Sequence, residues 1–65
     1  MSNRERQVLS LIAEGLTSFE IADKLYISAK TVEKHRQNIM NKLNKHDLAS
    51  LIRYAVEQGL LLRQN

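Results

Sequence analysis

The sequence predicts an all-α fold, a compact four-helix domain containing a helix-turn-helix. Three observations carry this. The 65 residues hold no proline and only two glycines, while 43% are hydrophobic, a composition that suits helices and leaves a sheet without its turns. Apolar residues recur three and four apart along most of the chain. Each interruption of that pattern is followed by Ser, Thr or Asp, the side chains that cap helix starts.

A chain this short buries only about 60% of the surface its unfolded state exposes, so one domain with one small core is expected over residues 1–65. There is no cysteine, hence neither a disulfide nor a thiolate metal site. Stability must come from helix packing.

Ser2 with Glu5 three residues on has the form of a capping box. Val8, Leu9, Leu11 and Ile12 fall on one side of the helix that follows, with Arg4, Gln7, Ser10 and Glu14 outside, and Gly15 supplies the stop. The first helix is thus expected over Asn3 to Glu14. Thr17 and Glu20 repeat the box, and Phe19, Ile21, Ala22 and Leu25 are expected to form a short inward face over 18–25. Tyr26 and Ile27 leave only a tight turn before Ser28, a further N-cap.

The third helix is expected over 29–43. At 100° per residue His35, Ile39 and Leu43 fall within about 60° of Val32, as an inward stripe. Lys30, Lys34, Gln37 and Asn41 fall within roughly 40° of the opposite direction, with Glu33 and Asn38 at their flanks. Asn44 can take a left-handed, helix-ending conformation. Asp47 then opens a fourth helix over 47–58, with apolar positions Leu48, Leu51, Ile52, Ala55 and Val56 and a stop at Gly59. Leu60 to Leu62 are expected to fold back over the core. No linker, repeat or low-complexity segment interrupts the chain, and its start near Met1 fits either a freestanding small protein or a fragment of a longer one.

Ten Lys and Arg against seven Asp and Glu leave a net charge of +3 and a pI near 9.6. That permits a polyanionic partner without demanding one. No apolar run approaches the roughly 18 residues of a membrane span, and the N-terminus MSNRERQV lacks the apolar centre of a signal peptide. The chain reads as cytoplasmic.

An outer face of charged residues is ordinarily solvated surface. Here it follows a short capped helix across a tight turn, the arrangement that places a second helix in the major groove of DNA. Its residues also suit base edges. Lys34 can donate to guanine O6 and N7, Gln37 can pair with adenine, and Glu33 can accept from cytosine N4, so Lys30, Glu33, Lys34 and Gln37 are the base-reading candidates. Glu33 fits equally an ordinary ion pair with Arg36. Thr17, Ser18, Ser28, Lys30 and Thr31 stand at helix starts, where backbone N–H groups and the dipole favour an anion. Arg36, Asn38 and Lys42 flank the line, and His35 on the inward edge has one nitrogen able to donate. These are the phosphate-binding candidates, with simple capping the commoner use for each Ser and Thr and compatible with a phosphate contact.

The run NRERQVLSLIAEGLTSFEIADKLYISAKTVEKHRQNIMNKL, continued by LIRYAVEQGLL, resembles the LuxR-type helix-turn-helix domain, the output domain of NarL/FixJ response regulators and of quorum-sensing regulators. The matching pieces include Glu14-Gly15-Leu16-Thr17, Glu20-Ile21-Ala22, Lys30-Thr31-Val32, His35, Ile39, Lys42-Leu43 and Tyr54-Ala55, in one order along nearly the whole chain. The resemblance implies transcriptional regulation through double-stranded DNA, in a bacterium. An N-terminal regulatory domain would lie outside this chain. It places base contacts at Glu33, Lys34 and Gln37, and it implies a homodimer on DNA through helix 47–58, with Ser50, Tyr54 and Glu57 as interface candidates and RNA polymerase as a further partner. The chain departs from the family pattern at Asn44, Lys45 and Leu48.

Two other binding readings compete. One is a helical protein-interaction module with a basic face, and the other a promoter-reading domain like that of a sigma factor. An enzyme is not expected, since the sequence offers no Gly-rich phosphate loop, no HxxxH pair, and two His on different elements. Neither a cofactor nor a metal is expected.

Overall fold

A computed structural model describes residues 1–59 and arranges them as α1 (Asn3–Ala13), α2 (Ser18–Leu25), α3 (Ala29–Leu43) and α4 (Leu48–Glu57). Glu14 and Gln58, expected inside helices, are cap residues instead, and Asp47 is the N-cap of α4. Leu60 to Leu62, expected to fold back over the core, lie outside the described residues.

Every start is made by a side chain satisfying a backbone N–H that the helix cannot. Ser2 Oγ accepts from Glu5 N at 3.1 Å while Glu5 Oε1 accepts from Ser2 N at 3.2 Å. Thr17 and Glu20 form the same reciprocal pair at 3.2 and 2.7 Å. Ser28 caps α3 through Thr31 N at 3.0 Å, and Asp47 caps α4 through Ser50 N at 3.0 Å.

Three of the stops are equally uniform. Gly15, Tyr26 and Asn44 each adopt positive φ, at 97°, 59° and 54°, and the next N–H reaches back five residues: Leu16 to Leu11, Ile27 to Ala22, Lys45 to Met40. This is the Schellman ending. Tyr26 is the unexpected member, since a ring-bearing residue takes the conformation that glycine takes without strain.

The core is built from Val8, Leu9, Leu11, Ile12, Ile21, Val32, Ile39, Leu51 and Ala55. The helix α1 packs against α2, α3 and α4, and α2 packs against α3. Three expected inward residues are not there. Phe19 is 78% exposed, because it lies about 160° around the axis from Ile21, on the same flank as Tyr26. Leu48 and Val56 are 51% and 44% exposed. Leu48 opens α4 beyond the edge of the core, and Val56 is rotated about 140° from Leu51. With half-buried Ile52 between them they form an apolar strip along one flank of α4.

Candidate nucleic-acid interface

The tight turn at Tyr26 to Ser28 fixes α3 relative to α2, and Val32 and Ile39, both fully buried, fix which way α3 faces. Its opposite side carries Lys30, Lys34, Gln37 and Asn41, all exposed, with Glu33 and Asn38 exposed beside them. The wheel arithmetic therefore places this line correctly. Gln37 Nε2 donates to Asn41 Oδ1 at 3.3 Å, which restrains the amide and leaves its oxygen open as an acceptor. Neither Lys30 nor Lys34 makes a hydrogen bond or ion pair among the described residues, so both ammonium groups face solvent as available donors.

The flank toward α2 is more heavily cross-linked than the sequence indicated. Ser18 Oγ, in the first turn of α2, donates to Glu33 Oε2. Arg36 Nε lies 3.9 Å from Glu33 Oε1, the ion pair expected from their spacing. Thr17, Ser18 and Arg36 line one groove of about 340 Å³. Three of the polar candidates are thereby brought to one place. Ser28 and Thr31 sit together at the start of α3, their hydroxyls 2.9 Å apart, and both are exposed.

Lys42 is drawn elsewhere. Its Nζ donates to Glu5 Oε1 at 2.9 Å, and Glu5 is only 6% exposed. The sequence offered Glu5 as a capping residue and gave no sign of this second role. The hydrogen bond from Lys42, then that from the Ser2 backbone, hold the Glu5 carboxyl below the ordinary glutamate value of 4.5. The Asp47 carboxyl is likewise lowered from its ordinary 3.8, by the Ser50 backbone N–H and then the Ser50 hydroxyl.

His35 is half-buried, and its Nδ1 is enclosed without a hydrogen-bond partner among the described residues. An orphaned buried N–H is rarer than an orphaned acceptor, which favours placing the neutral ring's proton on Nε2. That is the tautomer able to donate outward.

Of the candidates on α4, Ser50 Oγ donates to Asp47 Oδ1 at 2.9 Å and Tyr54 packs against the core. Of these three only Glu57 is exposed. No cluster of three or more metal-ligating side chains occurs among the described residues, and none of the helices there is long and apolar enough to cross a membrane.

The sequence pattern of the bacterial regulatory proteins of the luxR family matches residues 1–55. The chain is 48% identical over 61 residues to the oxygen regulatory protein NreC of Staphylococcus carnosus, an alignment covering 94% of this chain and 28% of NreC. It is 50% identical over 60 residues to the uncharacterized response regulatory protein YgeK of Escherichia coli, covering 92% of this chain and 41% of YgeK. The NreC of Staphylococcus epidermidis is 46% identical over 61 residues, with the same coverage as the first. The chain therefore spans less than half the length of these relatives. Four capped helices in this order, an outward polar line on the third and a family match over most of the chain lead to one conclusion: the chain belongs to the LuxR family of bacterial regulatory proteins, as a DNA-binding domain for transcription regulation.

Proposed function

We propose that the domain binds double-stranded DNA sequence-specifically, with α3 in the major groove and two copies joined through α4 on paired half-sites. The observation that carries this is the exposed line Lys30, Lys34, Gln37 and Asn41, presented by a helix whose other face is fixed in the core. Such donors discriminate bases by their edge patterns, while Thr17, Ser28, Thr31, Asn38 and the outward nitrogen of His35 meet the backbone and set register.

For the dimer, the apolar strip Leu48, Ile52 and Val56 offers a second copy more surface to bury than Ser50, Tyr54 and Glu57, of which two already have intramolecular uses. Response regulators such as the relatives named above suggest a sensing domain elsewhere in the whole protein, action in the cytoplasm, and RNA polymerase as a partner at the promoter.

The test is selection of bound duplexes from a random pool at about 0.15 M salt, where nonspecific attraction is partly screened. The expected product is a two-fold symmetric motif. Recovery of a motif without symmetry would remove the dimer, and recovery of no motif would remove sequence reading. The competing reading, a protein-interaction module, gains support from exposed Phe19 and Tyr26, which DNA binding does not use, and it predicts the second outcome.

A further inference from the structure

The link between Ser18, Glu33 and Arg36 joins the start of α2 to the flank of α3, and it has an unusual composition for a DNA-facing surface. Its centre is a carboxylate. One carboxylate oxygen accepts from the Ser18 hydroxyl and the other faces the Arg36 guanidinium at 3.9 Å. These are two of the donors on this flank that a backbone phosphate would use, and they border the same groove. Carboxylate and phosphate oxygens compete for the same hydroxyl and guanidinium donors. The single Ser18 hydroxyl proton cannot serve both at once, and a phosphate at Arg36 competes with the carboxylate for its charge.

We propose that Glu33 is a specificity-determining competitor for phosphate, occupying Ser18 and Arg36 in the free domain and yielding them to the DNA backbone at a permissive base pair. This rests on the DNA-binding reading above. Once displaced, the carboxylate is pushed toward an interface dominated by phosphates and by base acceptors such as guanine O6 and N7 or thymine O4. Cytosine N4 offers it a donor instead. Exchange at a cytosine replaces the lost hydrogen bond; adenine N6 is the other major-groove donor but stands beside the acceptor N7, and exchange at guanine or thymine leaves an unpaired anion in the interface. Ser18 is then a positioning residue, since it links backbone engagement to what Glu33 meets in the groove.

The experiment is a double-mutant cycle on DNA affinity, with Ser18→Ala, Glu33→Ala and their combination, titrated against a random-sequence duplex and against the duplex selected by the wild-type chain. Neither change touches the Thr17–Glu20 capping box or the core. On the random duplex Glu33→Ala should tighten binding, and the gain should be at least about threefold larger with Ser18 present than with alanine there, a coupling beyond the scatter of independent sites. Ser18→Thr, which keeps the hydroxyl, should restore the coupling. Selection with Glu33→Ala should lose its preference at one C·G pair.

Equal gains in both backgrounds would reduce Glu33 to a distant negative charge and overturn the inference, as would weaker binding of random DNA by Glu33→Ala. A wild-type chain that binds no duplex would overturn the DNA-binding reading and this inference together. Binding with independent effects removes the inference alone.

Discussion

Lys42 Nζ donates to Glu5 Oε1 at 2.9 Å, tying the last turn of α3 to the first turn of α1 across 37 residues of sequence. The carboxylate is buried and the ammonium is half-exposed, so the pair sits at the margin of the core. Lys42→Met should leave Glu5 without its cation and destabilise the domain by about 1–3 kcal/mol, the range for stranding a buried hydrogen-bonding partner. In a chain of this size that is a fall in Tm of about 4–8 °C per kcal/mol, readable by calorimetry. Because Nζ is already held, the salt dependence of DNA binding should hardly change. A drop of about one unit in the log–log slope would instead assign Lys42 to the phosphate backbone.

Acid should unfold the domain partly through the same carboxylate. Lys42 and the Ser2 backbone depress the folded-state value of Glu5, and Ser50 depresses that of Asp47. A carboxyl lowered on folding contributes stability that is present above its unfolded value and lost as pH falls through the folded one. The loss should therefore set in around the ordinary values of 4.5 and 3.8 and continue as pH falls below them. Urea titrations at neutral pH and at successively lower pH check this. Glu5→Gln should be less stable at pH 7 and show a shallower decline in acid, and an unchanged decline would exclude Glu5 as a source.

Tyr26 holds φ at 59° with its ring 94% exposed, so the residue contributes backbone strain and almost no burial. Glycine removes a left-handed penalty of about 1–2 kcal/mol at an entropic cost of about 0.5–1 kcal/mol. Tyr26→Gly should thus raise stability by a few tenths to about 1 kcal/mol. A clear loss in chemical denaturation would mean that the ring makes contacts that its exposure conceals.

On the outward line of α3, Lys34→Ala and Gln37→Ala should each cost about 1–3 kcal/mol on the selected duplex and relax preference at one base pair. Asn41→Ala should weaken the effect of Gln37 without abolishing it, because it removes the 3.3 Å hydrogen bond that restrains the amide. Equal losses on selected and random DNA would remove these residues from base reading.

Leu48→Ser and Val56→Ser each take an exposed apolar group from α4, and neither should lower the stability of the monomer by more than about 0.5 kcal/mol, as for ordinary surface positions. Both should reduce cooperative occupancy of paired half-sites. Cooperativity left intact by both changes but lost with Glu57→Ala would return the interface to the other flank.

The caps were legible in the sequence because they are local. Ser2–Glu5, Thr17–Glu20, Ser28 and Asp47 act on backbone atoms three residues away, and spacing alone reveals them. The facing of α3 was legible because fifteen residues carry several repeats of the period. Helix α2, with eight residues, carries barely two turns, and there hydrophobicity misassigned Phe19 to the interior. Tyr26 escaped notice because tyrosine is no marker of positive φ. The links from Glu5 to Lys42 and from Ser18 to Glu33 depend on how helices dock, which no spacing within one helix encodes. Those links decide which candidate donors remain open to a ligand.

The helix α1 packs on all three of the others and carries none of the proposed DNA contacts. It joins the helix proposed to read DNA to the helix proposed to meet a second copy, so in that assembly it would act as the bridge of a caliper whose two tips touch different molecules. The centre-to-centre distance between half-sites would then be measured out by α1. Repacking Leu9 or Ile12, remote from any base, would change which operator spacings are accepted while leaving the sequence read within each half-site untouched.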